Sequence, residues 1–454
     1  MAAERQLKIG LAAYGTGWDL RAWRLPEATN VGLEDPSVIL DVIRTAERGK
    51  LDYVFTGSSL ASEPDSLQRV YRWDNAVYAG YAAAQTSHVG LLVSFNTSIE
   101  NPYLVARQVA TLDRFSGGRA GLNLVYGIER GIVGDNFRAE RLPDQTGKYQ
   151  RASDFTDLVY RLLAESWDAD YLQDDKAGGT LIRRGSWHEL DYRSEHFDVK
   201  GPLNTPRPIQ DRIPLVHVGA SGRSLEIGAR QADIRFGSYL GIEAGKADYR
   251  ATKQRVADAG RDPERFLVLP GIGFYLGGTR GEARDKFRQI SAFEAGEVIP
   301  AAIGKAFGIE LERVRPEERA VDVLDLNAGT EPIRLDLDAP RANVERIAAD
   351  DRQWLQDFVH RQIADPDVRL GDLYHYVRQH RFGQGLYVGD AKGFADFLEE
   401  GLLERVFDGV QLFPPYHRGP ADLFVDHVVP ELQRRGVFRR EYASTLLSEN
   451  LGVV

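Results

Sequence analysis

Cysteine is missing from all 454 residues, which removes disulfides, thiolate metal sites and cysteine nucleophiles at once. Long apolar runs are missing too, and no stretch approaches the roughly 18 residues that a membrane span requires. The opening MAAERQLKIG has no apolar run ahead of its first strand-like segment, so no secretory signal is expected and a cytoplasmic protein is the default. Positive charge is in deficit, with 57 Lys and Arg against 67 Asp and Glu and a net charge of -10. That balance would not neutralise a phosphate backbone, which argues against a nucleic-acid partner. The arginine-rich QRRGVFRR (433–440) reads as the solvated end of a helix. The nine histidines form no His-x-His or His-Glu-x-x-His pattern. The nearest cluster is DLYHYVRQHR (372–381), where His375 and His380 miss the spacing that shares a helix face, so no metal site is expected. Internal repeats and low-complexity segments are absent as well.

What is present is 43% apolar composition, ample for a large core, arranged in a recurring pattern. Short β-rich runs occur at 7–13, 51–57, 89–95, 120–126, 213–220, 233–240, 266–276 and 408–415. Stretches of helical period separate them, at 37–50, 75–87, 103–118, 149–167, 221–231 and 246–260. The strands are almost continuously apolar, as expected where helices cover a parallel sheet. Eight such units indicate a (β/α)₈ TIM barrel, although a doubly wound open sheet also alternates strands and helices. The expected organisation is one barrel domain over 1–454. It carries insertions at about 168–212, between the fourth helix and the fifth strand, and at 277–390, between the seventh and eighth strands. Intervals of that length are expected to be packed subelements, including a helix in NVERIAADDRQWLQDFVHRQI (343–363).

A barrel binds ligands at the C-terminal ends of its strands. Those positions hold Tyr14, Gly15, Gly57, Ser58, Ser59, Ser94, Asn96, Ser98, Asn123, Tyr126, Gly127, Gly219, Ala220, Ser221, Tyr239 and Pro414–Tyr416. This rim is neutral and rich in hydroxyls and glycine. Scarce carboxylates argue against a glycosidase, and scattered histidines against a metal hydrolase. GASGRS (219–224) ends a strand and opens a helix, a junction that suits a phosphate and equally suits plain helix capping. A phosphate grip beside a neutral pocket suits a cofactor that carries the chemistry. Periodicity does not name that cofactor.

Several stretches carry a further signal: AWRLPEA (22–28), TAERGKLDYVF (45–55), NPYLVARQVATLDRFSGGRAGLNLV (101–125), YQRASDF (149–155), DKAGG (175–179), HFDVKGPLNTPRPIQ (196–210) and VDHVVPELQRRGVFRREY (425–442). In this order the chain resembles the bacterial-luciferase-like flavin monooxygenases, in the branch of nitrilotriacetate monooxygenase component A and dibenzothiophene-sulfone monooxygenase. The resemblance implies a (β/α)₈ fold, FMN used as FMNH₂ from a separate NAD(P)H:flavin reductase, and O₂ as co-substrate through a flavin C4a-peroxide. It also implies a homodimer or homotetramer and a small organic substrate.

Carried over position by position, the family's flavin contacts fall at Ser58, Ser94, Gln145, Tyr149, Ala220 and Ser221. Ser58 stands where the family has an acid, and Gln145 where it has a histidine. The phosphate end is retained through Ser221. Trp18 replaces a histidine ahead of AWR, and Tyr126 takes the place of a small hydroxyl, which implies a pocket suited to an aromatic or polycyclic substrate. No nucleophile or acid–base residue is nominated; Trp18, Tyr126 and Tyr149 are expected to orient substrate or peroxide. Two alternatives remain: an F420-dependent oxidoreductase that transfers hydride, or an accessory homologue without activity.

Overall fold

The computed structural model describes residues 5–13, 15–19, 21–28, 34–57, 60, 73–126, 136–137, 147–219, 222–239, 241–293, 315–323, 357–373 and 384–454. Strands β1 (Lys8–Ala12), β2 (Tyr53–Thr56), β3 (Gly90–Asn96) and β4 (Ala120–Val125) come first. Two antiparallel hairpins follow, β5 (Leu172–Asp175) with β6 (Thr180–Ile182) and β7 (Tyr192–Arg193) with β8 (Asp198–Val199). The remaining strands are β9 (Leu215–Val218), β10 (Ile234–Gly237), β11 (Leu267–Leu276), β12 (Gly385–Gly389) and β13 (Gly409–Phe413). Parallel pairing runs β1-β2-β3-β4-β9-β10-β11-β13 and back to β1, a closed ring of eight. This is the expected (β/α)₈ barrel, and each of its eight strands lies on one of the β-rich runs.

The 277–390 interval contributes a strand that the apolar pattern does not announce. GLYVG of β12 pairs with Ile272–Leu276 of β11, beyond the Leu267–Pro270 stretch that pairs with β10, while Gly271–Gly273 pair with β13. Most of 343–363 lies outside the described residues, as do His375 and His380.

Helices α1 (Ser37–Arg48), α2 (Asn75–Ala83), α3 (Pro102–Ser116), α4 (Gly147–Glu165), α5 (Gly222–Gln231), α6 (Ile242–Asp258), α7 (Arg280–Ser291) and α8 (Ala391–Leu403) cover the ring. Local chemistry sets their limits. Asn101 caps α3 through the N–H groups of Tyr103 and Leu104, Pro102 starts it, and Gly117 ends it in the left-handed region at φ +71°. Thr279 and Glu282 form a capping box on α7.

Strand alternation sorts side chains between lumen and helices. On β3, Leu91, Val93 and Phe95 join the outer core, whereas Leu92 packs in the lumen with Tyr53, Val216, Ile234, Leu267 and Leu269. The chain's own C-terminus completes that inner cluster. Leu447, Leu451 and Val453 enter from the N-terminal ends of the strands, each burial stabilising by roughly 1.5–3 kcal/mol. Gly90 and Gly121 make the room: a Cβ on either would lie 2.5 or 3.1 Å from a Leu447 methyl.

Arg434 and Arg440 of QRRGVFRR are exposed, as expected of a solvated helix end, but Arg435 and Arg439 depart from it. Arg435 is half-buried among Asp396, Glu399 and Glu431, and the buried Arg439 pairs with the fully buried Asp52 while also donating to the Asn450 carbonyl. The reason is tertiary: these cations fasten the C-terminal segment to α8 and to the start of β2. With one mouth filled in this way, the C-terminal ends of the strands remain as the open face among the described residues.

Candidate active site

The loop after β1 is laid along the end of β13. Trp18 N–H donates to the Pro414 carbonyl at 2.9 Å and Asp19 N–H to the Pro415 carbonyl at 3.0 Å. Gly17 sits at φ +110°, and a Cβ there would lie 2.3 Å from Tyr416 Cα, so only glycine permits this approach. Trp18 is thereby set against Phe413, ring centroids 4.6 Å apart, and Phe413 meets Phe236 edge-on at 5.8 Å. These three rings form an aromatic wall at the β10–β13 side of the mouth. The adjacent Asp19 is buried, ion-paired to Arg21 at 3.0 Å, and accepts from the Tyr275 hydroxyl at 2.8 Å.

Across the ring, β3 and β4 present amide and hydroxyl groups. Ser94 Oγ donates to the Thr56 carbonyl at 3.1 Å and accepts from Asn123 Nδ2 at 3.0 Å. Asn75 grips the Ser94 backbone on both sides, donating to its carbonyl at 3.0 Å and accepting its N–H at 2.6 Å. Asn123 is 2% exposed and shares a lumen-facing register with Gly121, and its Oδ1 has no hydrogen-bond partner. Because Ser94 fixes Nδ2, the orientation of the amide is determined and Oδ1 is a buried acceptor lacking a donor.

The β3–α3 turn adds a carboxylate. Glu100 accepts the Asn96 backbone N–H, and burial, with a smaller push from Asp74, raises its pKa to about 7. Nothing in the sequence distinguished Glu100 from a surface acid four residues beyond a strand end. Asn75 was equally silent, being an ordinary first residue of a helix.

The nominated residues fall into two groups. Trp18 and Ser94 stand on the two walls of the mouth. Tyr126 and Tyr149 pack on the helix side of β4, in the cluster beneath α4. Tyr126 is 6% exposed, lies against Thr156 and the His217 ring (centroids 5.1 Å), and burial raises its phenol pKa. Tyr149 is 9% exposed with Lys148 Nζ 4.8 Å from its ring centroid. Ser58, Gln145, Ala220 and Ser221 lie outside the described residues. Among the described residues no group of three or more His, Asp or Glu side chains is placed to hold a metal ion.

The C-terminal end of the ring therefore carries an aromatic wall on its β10–β13 side, a buried amide acceptor on β4, the strand opposite β13, and a carboxyl of raised pKa on the β3–α3 turn. It offers binding and desolvation more than a nucleophile. Comparison with known proteins gives it a context. Residues 16–346 match the family model described as luciferase-like monooxygenase. N-acetyl-S-(2-succino)cysteine monooxygenase of Bacillus subtilis is 31% identical over 99% of this chain and 97% of its own length. Nitrilotriacetate monooxygenase component A of Aminobacter aminovorans is 31% identical over 100% of this chain and 98% of its own. Among solved structures, EDTA monooxygenase from Chelativorans sp. BNC1 superposes with a TM-score of 0.80 at 24% identity, covering 99% of both chains.

Proposed function

Because the chain belongs to the luciferase-like monooxygenase family and is a flavin-dependent monooxygenase, we propose that it is the oxygenating component of a two-component system. Its reduced flavin is FMNH₂, delivered by a separate NAD(P)H:flavin reductase. When bound, reduced flavin supplies the two electrons that let one atom of O₂ enter the substrate while the other leaves as water.

The residues present fit such a group. The observation that carries the reading is the buried, donorless Asn123 Oδ1 on β4, the strand opposite β13, across the ring from the Trp18–Phe413–Phe236 wall. A flat heteroaromatic ring with an N–H edge answers both features, since it stacks on one side and donates on the other. Ser94 would orient the amide. Ser58, Gln145 and Tyr149 would contribute further flavin contacts. The phosphate belongs at the start of α5, held by Ala220, Ser221 and the first N–H groups of the helix. Trp18 would position the substrate, with the protein excluding water around it, whereas Tyr126 and Tyr149 pack on the helix side of β4 and would act only by supporting that wall.

The substrate class is a small organic molecule with an aromatic or polycyclic body. The described cations at the rim are already engaged: Arg21 by Asp19, and Arg151 by the Thr97 carbonyl. By the described residues, an apolar ring is thus matched better than a polycarboxylate. Equilibrium titration with reduced FMN, followed by O₂ uptake across a panel of aromatic and polycarboxylate compounds, tests this. Uptake coupled to product with the polycarboxylates alone would refute the substrate class.

The assembly is proposed as a homodimer or homotetramer in the cytoplasm, each chain one barrel domain with insertions at 168–212 and 277–390. Its apolar contact face is the outer side of α2 and α3, where Val77, Tyr81, Leu104 and Phe115 are exposed on neighbouring helices. Light scattering of Val77→Glu against the unaltered chain tests the face; an unchanged mass would refute it.

A further inference from the structure

Gln384 immediately precedes β12 and is 3% exposed. Gly385 pairs with Ile272, so Gln384 lies level with Gly271 of β11, one residue past the stretch of β11 that pairs with β10. Gly271 follows Leu267 and Leu269 on the lumen face of that strand. A Cβ there would lie 2.9 Å from Gln384 Cγ, 3.1 Å from Phe236 Cζ and 3.1 Å from Phe413 Cε2. The space a side chain at 271 would fill is therefore shared by the stem of Gln384 and two rings of the aromatic wall. Gln384 thus enters the barrel on the β10–β13 side, against the same wall that Trp18 completes.

Its backbone is anchored and its amide is not. Leu386 N–H donates to Gln362 Oε1 at 2.9 Å, and a Cβ on Gly385 would lie 3.0 Å from the Tyr239 ring, which fixes the start of β12. Gln362 is thereby a buried glutamine that serves the fold. Gln384 differs, because its Oε1 is buried with no hydrogen-bond donor. Native structures seldom leave such an acceptor unmade without a reason. Turning Oε1 further toward the mouth breaks no hydrogen bond, and Phe236 beside it is only half-buried, so the wall stays accessible there. Asn123 stands on β4, opposite β13. A flavin ring whose N–H edge is turned to Asn123 leaves the Gln384 acceptor for a second molecule.

We propose that Gln384 is a specificity-determining residue for the substrate, its amide taking an uncharged hydroxyl carried on the aromatic body that packs against Phe236 and Phe413. This rests on the reading that the site takes an aromatic substrate beside the flavin. The hydroxyl donates to Oε1, and its own oxygen can still accept. A carboxylate has no proton to give, and a bare hydrocarbon leaves the acceptor unmade, so both are disfavoured.

The test uses naphthol, methylnaphthalene and naphthoate substituted at the same ring position, one ring system bearing a hydroxyl, a methyl or a carboxylate. Each is titrated calorimetrically into the unaltered protein, Gln384→Met and Gln384→Leu, with oxidised FMN in excess. FMN dissociation constants and melting temperatures are measured alongside. The unaltered protein should bind naphthol about tenfold more tightly than the other two, the scale of one buried neutral hydrogen bond. Both variants should lose that preference through weaker naphthol binding, with methylnaphthalene and FMN held within about twofold and no fall in melting temperature. A naphthol preference that survives in both variants, or is missing from the unaltered protein, would overturn the proposal. Weaker FMN binding in the variants would assign the amide to the flavin, and equal weakening of naphthol and methylnaphthalene with a lowered melting temperature would assign it to the fold; either overturns it. If the unaltered protein binds none of the three, the aromatic substrate reading itself falls and takes this proposal with it. Should Gln384→Leu fail to fold, Gln384→Met, which keeps the length of the side chain, decides by the same criterion.

Discussion

Replacing Asn123 by leucine should separate stability from binding. In the ligand-free protein, Asn123 Oδ1 is a buried acceptor without a donor, a state that costs about 1–3 kcal/mol. The substitution removes that cost. It also removes the Nδ2 bond to Ser94 Oγ, which contributes about 0.5–1.5 kcal/mol, while Ser94 keeps its donation to the Thr56 carbonyl. The two effects nearly cancel, so the melting temperature of the ligand-free protein should change little. Binding should respond differently. The ligand loses a buried acceptor, which raises its dissociation constant by roughly tenfold or more. With reduced FMN at about 100 times the original dissociation constant, ligand stabilisation should fall from about 2.7 to about 1.4 kcal/mol. Anaerobic thermal unfolding with and without reduced FMN reads both quantities. A variant that is destabilised by more than about 2 kcal/mol yet binds reduced FMN unchanged would refute the reasoning, because Oδ1 would then serve the fold and not the ligand.

Other perturbations test other parts of the structure. Leu447→Ala empties part of the lumen core from the end opposite the pocket, so stability should fall by about 3 kcal/mol by chemical denaturation while the flavin dissociation constant holds. Gly17→Ala forces a Cβ against the Tyr416 backbone and should displace Trp18, seen as loss of the ligand-induced change in tryptophan fluorescence. Glu100 has a folded-state pKa raised to about 7 from an ordinary 4.5, so its contribution to stability is full below about pH 4.5 and is lost as pH rises through 7. Glu100→Gln should flatten that part of the melting-temperature profile; an unaltered slope would show that other groups set it.

The barrel was legible because its signal is repeated: eight apolar runs spaced by helical periods specify strands whatever their exact partners. Strand β12 was hidden because GLYVG is short, glycine-bounded and inside an insertion. QRRGVFRR was misjudged for a different reason. Charge patterning describes a lone helix, whereas Arg435 and Arg439 are drawn out of solvent by contacts with Asp396, Glu399 and Asp52, far away in the chain. At the site, the rule that ligands gather at strand ends brought attention to Ser94 and Asn123. It did not separate Tyr126, which faces the helices, from the lumen, because a residue just past a strand end has no fixed register. Glu100 and His217 stayed obscure since burial creates their unusual properties. A carboxyl whose pKa burial raises to about 7, and a histidine kept neutral by burial and by the neighbouring Arg235, follow from folded surroundings, not from spacing.

A flavin-dependent monooxygenase should hold reduced flavin in this barrel and use it with O₂. The most direct test is to mix the protein, loaded anaerobically with one equivalent of FMNH₂, with oxygenated buffer, and to follow the return of oxidised-flavin absorbance. Bound flavin should reoxidise more slowly than free FMNH₂ and do so in step with oxygenation when a productive substrate is present. Reoxidation at the rate of free flavin, with no binding at tens of micromolar reduced FMN, would contradict the account.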